Sequence, residues 1–156
     1  MLYRRANALM LLIASNRRTP HQVLDELAKE EDPHLLEQIA ENENTHPRTL
    51  LFLSTHQSHN VRVALTQNTR LPQDIVWKLR SDEHPDVRYS LACNPQISLD
   101  ALIALREDEN PYVSSRAGQT IERICAERAL EEVEQTSTLV DITRRTWRKQ
   151  DAEKAV

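Results

Sequence analysis

The sequence predicts an all-α chain built as a stack of two-helix repeats, and three observations predict it. Gly118 is the single glycine among 156 residues, 4% of which are aromatic and 28% charged, a composition that suits helices joined by short turns better than hairpins and sheets. Residue types recur every 26 positions, so that "SHNVRVALTQNTRLPQDIVWKLRSDE" (58–83) is followed without a gap by "HPDVRYSLACNPQISLDALIALREDE" (84–109). Within each period the apolar residues keep helical spacing in two short bursts, neither long enough to be a stable helix alone in water. Each burst must bury its apolar face against its neighbours, which is the logic of a solenoid.

The period sets five registers, 6–31, 32–57, 58–83, 84–109 and 110–135. The first helix of each unit contributes two apolar columns to the expected core, Leu9, Leu35, Val61, Val87 and Val113, and Ile13, Ile39, Leu65, Leu91 and Ala117. Proline stands at its first turn in Pro33, Pro85 and Pro111, where no amide proton is needed. Small residues at Ala14, Ala40, Thr66, Ala92 and Gly118 let helices approach closely. Asn16, Asn42, Asn68 and Asn94 follow, placed to end the helix by adopting a left-handed conformation and bonding nearby backbone. The second helix brings Leu24, Leu50, Val76 and Leu102 with Leu27, Leu53, Leu79 and Leu105, and Thr19, Pro20 and Gln22 resemble a capping box at its first occurrence.

The two ends of the chain need their own reading. "MLYRRANALMLLIAS" has the look of a secretory leader, yet Leu9, Ile13, Ala14 and Asn16 fall in register with the later units, so a structural first helix is expected. Residues Ile121 to Glu134 read as one longer acidic helix with Glu131 at the leucine position, the polar outer face that a terminal cap requires. A separate last helix, capped at Thr138 or Asp141, would then carry Leu139, Ile142, Thr143 and Trp147 beside Arg144, Arg145, Arg148 and Lys149. The expected organisation is thus a repeat domain over 1–135 and an amphipathic C-terminal helix over 136–156 that frays from residue 150.

The valine-arginine pair, alanine or threonine, then asparagine, then an apolar-proline or apolar-serine start to an L-x-x-L helix, quoted best by "NVRVALTQNTRLPQDIVWKL" and "DVRYSLACNPQISLDALIAL", resembles the leucine-rich repeat variant family over about residues 6 to 118. The resemblance implies a right-handed superhelix of alternating short, often 3₁₀, and longer α-helices, similar to HEAT-like solenoids. It carries over no catalytic residue. The best-known member is associated with an iron-sulphur cluster in a cysteine-rich N-terminal segment that has no counterpart here, so no cofactor is expected.

For function the sequence supports a non-catalytic binding or scaffold module. A formal charge of −4 and a pI near 5.9 lack the basic footprint of a nucleic-acid binder. No glycine-rich loop or nucleophile-base constellation argues for an enzyme. Cys93 and Cys125 form no disulfide framework or metal knuckle, which fits a reducing, cytoplasmic setting, and no apolar run approaches the ~20 residues of a membrane span. His56 and His59 in "THQSH" lack a third ligand of known proximity, so no metal site is expected. The partner-binding candidates are Leu51, Trp77 and Ile103, a column lying off the centre of the core face, with Phe52 beside it. The alternative, a helical-repeat nucleic-acid binder, would use Arg62, Arg80, Arg88 and Arg106, although Asp82, Asp86 and Asp108 recur nearby and favour pairing. A protein is the expected partner, and nucleic acid and membrane are not.

Overall fold

A computed structural model describes the backbone of residues 2–154 and the side chains of residues 7–134. It is all-helical, with no strand among the described residues. The elements are α1 (Leu2–Ser15), α2 (His21–Leu27) continuing into a 3₁₀ turn (Ala28–Glu30), α3 (Pro33–Glu41), α4 (Pro47–Leu53), α5 (His59–Leu65), α6 (Gln73–Arg80), α7 (Pro85–Cys93), α8 (Leu99–Arg106) and α9 (Pro111–Lys154). Proline opens α3, α4, α7 and α9, where a missing N–H leaves nothing unpaired. Side chains before them accept the first free amides: Asp32 from His34 N–H, His46 from Arg48 N–H, His84 from Asp86 N–H and Asn110 from Tyr112 N–H.

Residues 1–121 form one compact unit, and 122–156 cluster as another. In the first, α1 packs on α3, α3 on α5 and α5 on α7, while α6 packs on α8. Leu50, Leu53, Val61, Leu65, Val76, Leu79, Val87, Leu91, Leu102 and Leu105 are fully buried between them. Burial of that many branched side chains, each stabilising by about 1.5–3 kcal/mol, holds together helices too short to stand alone. Leu9 departs from its column: it is 58% exposed while Leu35, Val61, Val87 and Val113 are buried, because α1 packs on α2 and α3 and its other side is uncovered.

The asparagine column meets one half of the expectation, the bond to nearby backbone, and not the other, the left-handed conformation. Asn42 and Asn94 have extended backbones (φ −71, ψ 123 and φ −84, ψ 111), not left-handed ones; the one positive φ among the described residues other than glycine is at Glu31. The side-chain oxygens do bond nearby backbone, those of Asn16, Asn42, Asn68 and Asn94 accepting from the N–H of Arg18, Asn44, Arg70 and Gln96, while the side-chain amides reach back to the preceding register. Asn42 Nδ2 donates to Ala14 O (2.7 Å) and Asn16 O (3.0 Å), Asn68 Nδ2 to Ala40 O and Asn42 O (both 2.8 Å), and Asn94 Nδ2 to Thr66 O (2.6 Å). Thr120 Oγ1 takes the next rung, donating to Ala92 O at 2.7 Å. The small residues thus expose the carbonyls of α1, α3, α5 and α7 to an amide or hydroxyl 28 residues on, which satisfies groups that would otherwise be buried and unpaired.

Three further expectations are corrected. Thr19 forms no capping box, because Pro20 is the N-cap of α2 without a side-chain bond and the Thr19 hydroxyl donates to Ile13 O at 2.6 Å, as Thr45 does to Ile39 O. The first helices are α-helical, with 3₁₀ geometry confined to Ala28–Glu30. Finally, α9 runs unbroken for 44 residues through Thr138 and Asp141, so no separate last helix begins there and residues 150–154 are still helical. No proline or glycine follows Gly118 to stop it. In its 122–134 stretch Leu130 and Val133 are exposed, while the side chains of Leu139, Ile142, Arg144, Arg145, Trp147, Arg148 and Lys149 lie outside the described residues.

Candidate functional site

Leu51, Trp77 and Ile103 occupy equivalent positions on α4, α6 and α8, one residue past the buried Leu50, Val76 and Leu102 and two before the buried Leu53, Leu79 and Leu105. A helical step of about 100° from one buried position, and about 200° from the other, turns them out of the core. All three are open to solvent, at 49%, 41% and 49%. Asp25 precedes them in the column and accepts from the Thr49 hydroxyl, so the apolar row begins at Leu51. At the α6–α8 contact Gln73 Nε2 donates to Ser98 Oγ at 2.6 Å. The Arg80 guanidinium lies 5.7 Å from the Trp77 ring centre, a cation over an aromatic face.

Phe52, 58% exposed, faces a different feature, a cleft of about 450 Å³ lined also by Glu31, Pro33, Leu36, Thr55, His56 and Gln57. A second cleft, about 460 Å³, is lined by Arg80, Ser81, Asp82, Glu83, Arg88, Ala104, Glu107, Asp108 and Glu109. Leu36, Phe52, His56 and Gln57 of the first are replaced, 52 residues on, by Arg88, Ala104, Asp108 and Glu109 of the second. The second carries five carboxylates against two guanidinium groups.

The arginine column does not present a free basic stripe. Arg62 Nε and Nη2 donate to the two oxygens of Asp82 at 2.7 and 2.9 Å, and Nη1 donates to His56 O and Gln57 O. Arg88 repeats this on Asp108 at 2.7 and 3.1 Å, with Nη1 on Asp82 O and Glu83 O. All four side chains are nearly buried. The fork geometry of arginine suits such bidentate pairing. The Asp82 and Asp108 hydrogen bonds, opposed by burial and helped by the carboxylate charges, hold the two guanidinium groups even more firmly protonated than usual. Burial alone pushes the Asp108 carboxyl up, but the Arg88 and Asn110 hydrogen bonds and the charges of Arg88 and Arg80 hold it below the usual carboxylate range. Of the other two arginines, Arg80 sits over Trp77 and Arg106 is exposed.

The histidines are arranged as adjacency in sequence does not suggest. His56 Nδ1 accepts from Ser58 N–H at 3.1 Å and takes no part with His59. The His59 ring instead stacks on His84, 4.0 Å between centres and 3° from parallel, and Asp86 Oδ2 lies 3.7 Å from His84 Nδ1. Sequence reasoning missed His84 and Asp86 because it looked for ligands a few residues apart; the usable signal was a pair 25 residues apart, repeated in His21 and His46, whose rings lie 5.6 Å apart. Cys93 and Cys125 are free thiols, half-buried and exposed. No helix among the described residues is long and apolar enough to cross a membrane. Against known proteins the chain matches no family model, no curated protein and no solved structure.

Proposed function

We propose that this chain is a cytoplasmic right-handed α-solenoid of about five 26-residue repeats, of the leucine-rich repeat variant type, that holds a protein partner without catalysis. The observation that carries the reading is the outward row of Leu51, Trp77 and Ile103, flanked on each helix by buried leucines and valine. Folding does not require large apolar side chains at solvent-facing positions, and tryptophan is the favoured anchor of protein interfaces. Arg80 joins the row to the acidic cleft, so the partner segment that suits both is an apolar stretch followed by lysine or arginine. Nucleic acid is the less suitable ligand, since Arg62 and Arg88 already spend their guanidinium groups on carboxylates.

Trp77→Ser tests the reading. The variant is expected to keep its stability within about 1 kcal/mol, because a surface side chain contributes little to folding. It is expected to lose at least about 2 kcal/mol of affinity for the protein captured by the wild type, as an interface anchor does. In a Trp147→Phe background, solvent-like emission from Trp77 that shifts to the blue on adding that protein agrees with the reading. Unchanged affinity in Trp77→Ser and in Ile103→Ser removes it.

A further inference from the structure

We infer that His59, His84 and Asp86 form a binding site for one late first-row divalent metal ion, of the zinc, nickel or copper class. Their donor atoms all lie within 4.8 Å of one another, and they are the one such group of three among the described residues. Two imidazoles and a carboxylate are a donor set that these ions favour, whereas calcium and magnesium prefer oxygen alone. Three protein ligands leave a fourth position for water or for a donor from a partner.

The geometry requires a small adjustment. A tetrahedral ion with bonds of about 2.0–2.1 Å sets its donors about 3.3 Å apart. His84 Nδ1 and Asp86 Oδ2, at 3.7 Å, nearly span that already. The metal would take the Nδ1 lone pair that now accepts from Asp86 N–H over a long 3.3 Å. Parallel stacked rings point their lone pairs into planes that never meet, so the His59 ring must turn out of the stack. It is half-buried and makes no hydrogen bond among the described residues, which leaves it room to do so.

The repeat supplies an independent argument. Position for position, His59 stands where α3, α7 and α9 begin with Pro33, Pro85 and Pro111, the residue best suited to that place. His84 stands where the other units have Asp32, Ser58 and Asn110, all better helix caps than histidine. Asp86 stands where they have His34, Asn60 and Tyr112. Two departures from what the local fold asks, His59 and His84, converge on one point beside Asp86, whose place in the first turn of α7 suits a carboxylate, and such departures are where function is expected. The His21–His46 pair, similarly spaced, belongs to no group of three among the described residues and serves as the internal comparison.

The test is titration of the untagged full-length protein with zinc or cobalt(II), following heat, visible absorption and thermal melting. Wild type is expected to bind one equivalent, to give the d–d spectrum of cobalt bound to nitrogen and oxygen, and to melt higher with zinc present. His59→Pro, His84→Asn and Asp86→Asn restore or mimic residues that the fold tolerates at these places. Each is expected to melt like the wild type without metal, to bind at least 10-fold more weakly and to lose the zinc-dependent rise. His46→Asn and the Cys93→Ser/Cys125→Ser double variant are expected to bind as the wild type does. The inference is overturned if the wild type takes up no metal, if the three variants bind as it does, or if His46→Asn or the thiol variant weakens binding as much as they do.

Discussion

The two clefts 52 residues apart solve one packing problem in opposite ways. In the amino-terminal cleft the position on the first helix is Leu36, buried, and its counterpart just past the end of the second helix is His56, whose ring accepts from Ser58 N–H and makes no bond to Leu36. In the carboxyl-terminal cleft the same two positions are Arg88 and Asp108, closed by a bidentate pair, and Asp108 still accepts from Asn110 N–H as His56 does from Ser58. Arg62 and Asp82 lie between and follow the charged solution. The comparison teaches that the repeat prescribes a volume and a cap at these places but leaves the chemistry free. A leucine fills the volume at little cost. A buried arginine must be desolvated, and a pair of this kind need not add net stability over an apolar replacement. What the charged version adds is direction, because a guanidinium bonded to a carboxylate and two carbonyls fixes the spacing of the turns it joins.

The largest effect comes from breaking one half of that pair. Asp108→Ala is expected to cost about 3–5 kcal/mol in denaturant unfolding, because Arg88 stays nearly buried and loses its bidentate carboxylate, keeping two carbonyl acceptors and the exposed Glu109 at 3.8 Å. Arg88→Leu with Asp108→His, which transplants the amino-terminal solution, is expected to lie within about 1.5 kcal/mol of wild type, since the volume is filled and the cap kept. A double variant as damaged as the single one would show that the two clefts are not equivalent.

A smaller effect is expected in acid. Asp108 has its carboxyl lowered in the folded state, so its contribution to stability is present above the unfolded value of about 3.9 and is lost as pH falls through the lower folded value. Unfolding measured below about pH 4 should therefore weaken more steeply in the wild type than in Arg88→Leu/Asp108→His, where this carboxylate is gone. Equal slopes would remove the pair from the account of acid stability.

The smallest effect concerns the end of the ladder. A Cβ built at Gly118 meets nothing within 4 Å, and the carbonyls of the small residues before it in the column receive an amide or hydroxyl 28 residues on. Gly118→Ala is expected to stabilise by about 0.5–1 kcal/mol through helix propensity alone. A loss of stability would mean that the column demands glycine there for packing.

Much of the core was legible because a column at a period of 26 holds equivalent positions, and Leu53, Leu79 and Leu105 are buried alike. The outward Leu51, Trp77 and Ile103 could be placed from the helical angle, although whether a neighbour covers such a flank depends on packing that the angle does not contain. The contacts across units were less legible, because equivalence is not adjacency: the partners stand 20 residues apart in Arg88–Asp108, 25 in His59–His84 and 28 in Asn68–Ala40. Those offsets depend on how one helix pair leans on the next. The asparagines were assigned a left-handed turn because their type permits one, while the carbonyls they bind come from a helix the local sequence does not show. The end of α9 was misplaced because Thr138 and Asp141 can cap a helix only where something has first stopped the preceding one.

The asparagine rungs have a polarity. Each unit supplies the donor and the unit before it supplies the carbonyls, from Asn42 on Ala14 to Thr120 on Ala92. During synthesis the carbonyls emerge first and wait, exposed to water, until the next unit arrives to close over them, so the chain can zip shut in the order in which it is made. Trimming is correspondingly lopsided. Removal of the Thr120 hydroxyl leaves the Ala92 carbonyl without its donor, whereas removal of residues 2–16 leaves the Asn42 amide without either of its acceptors.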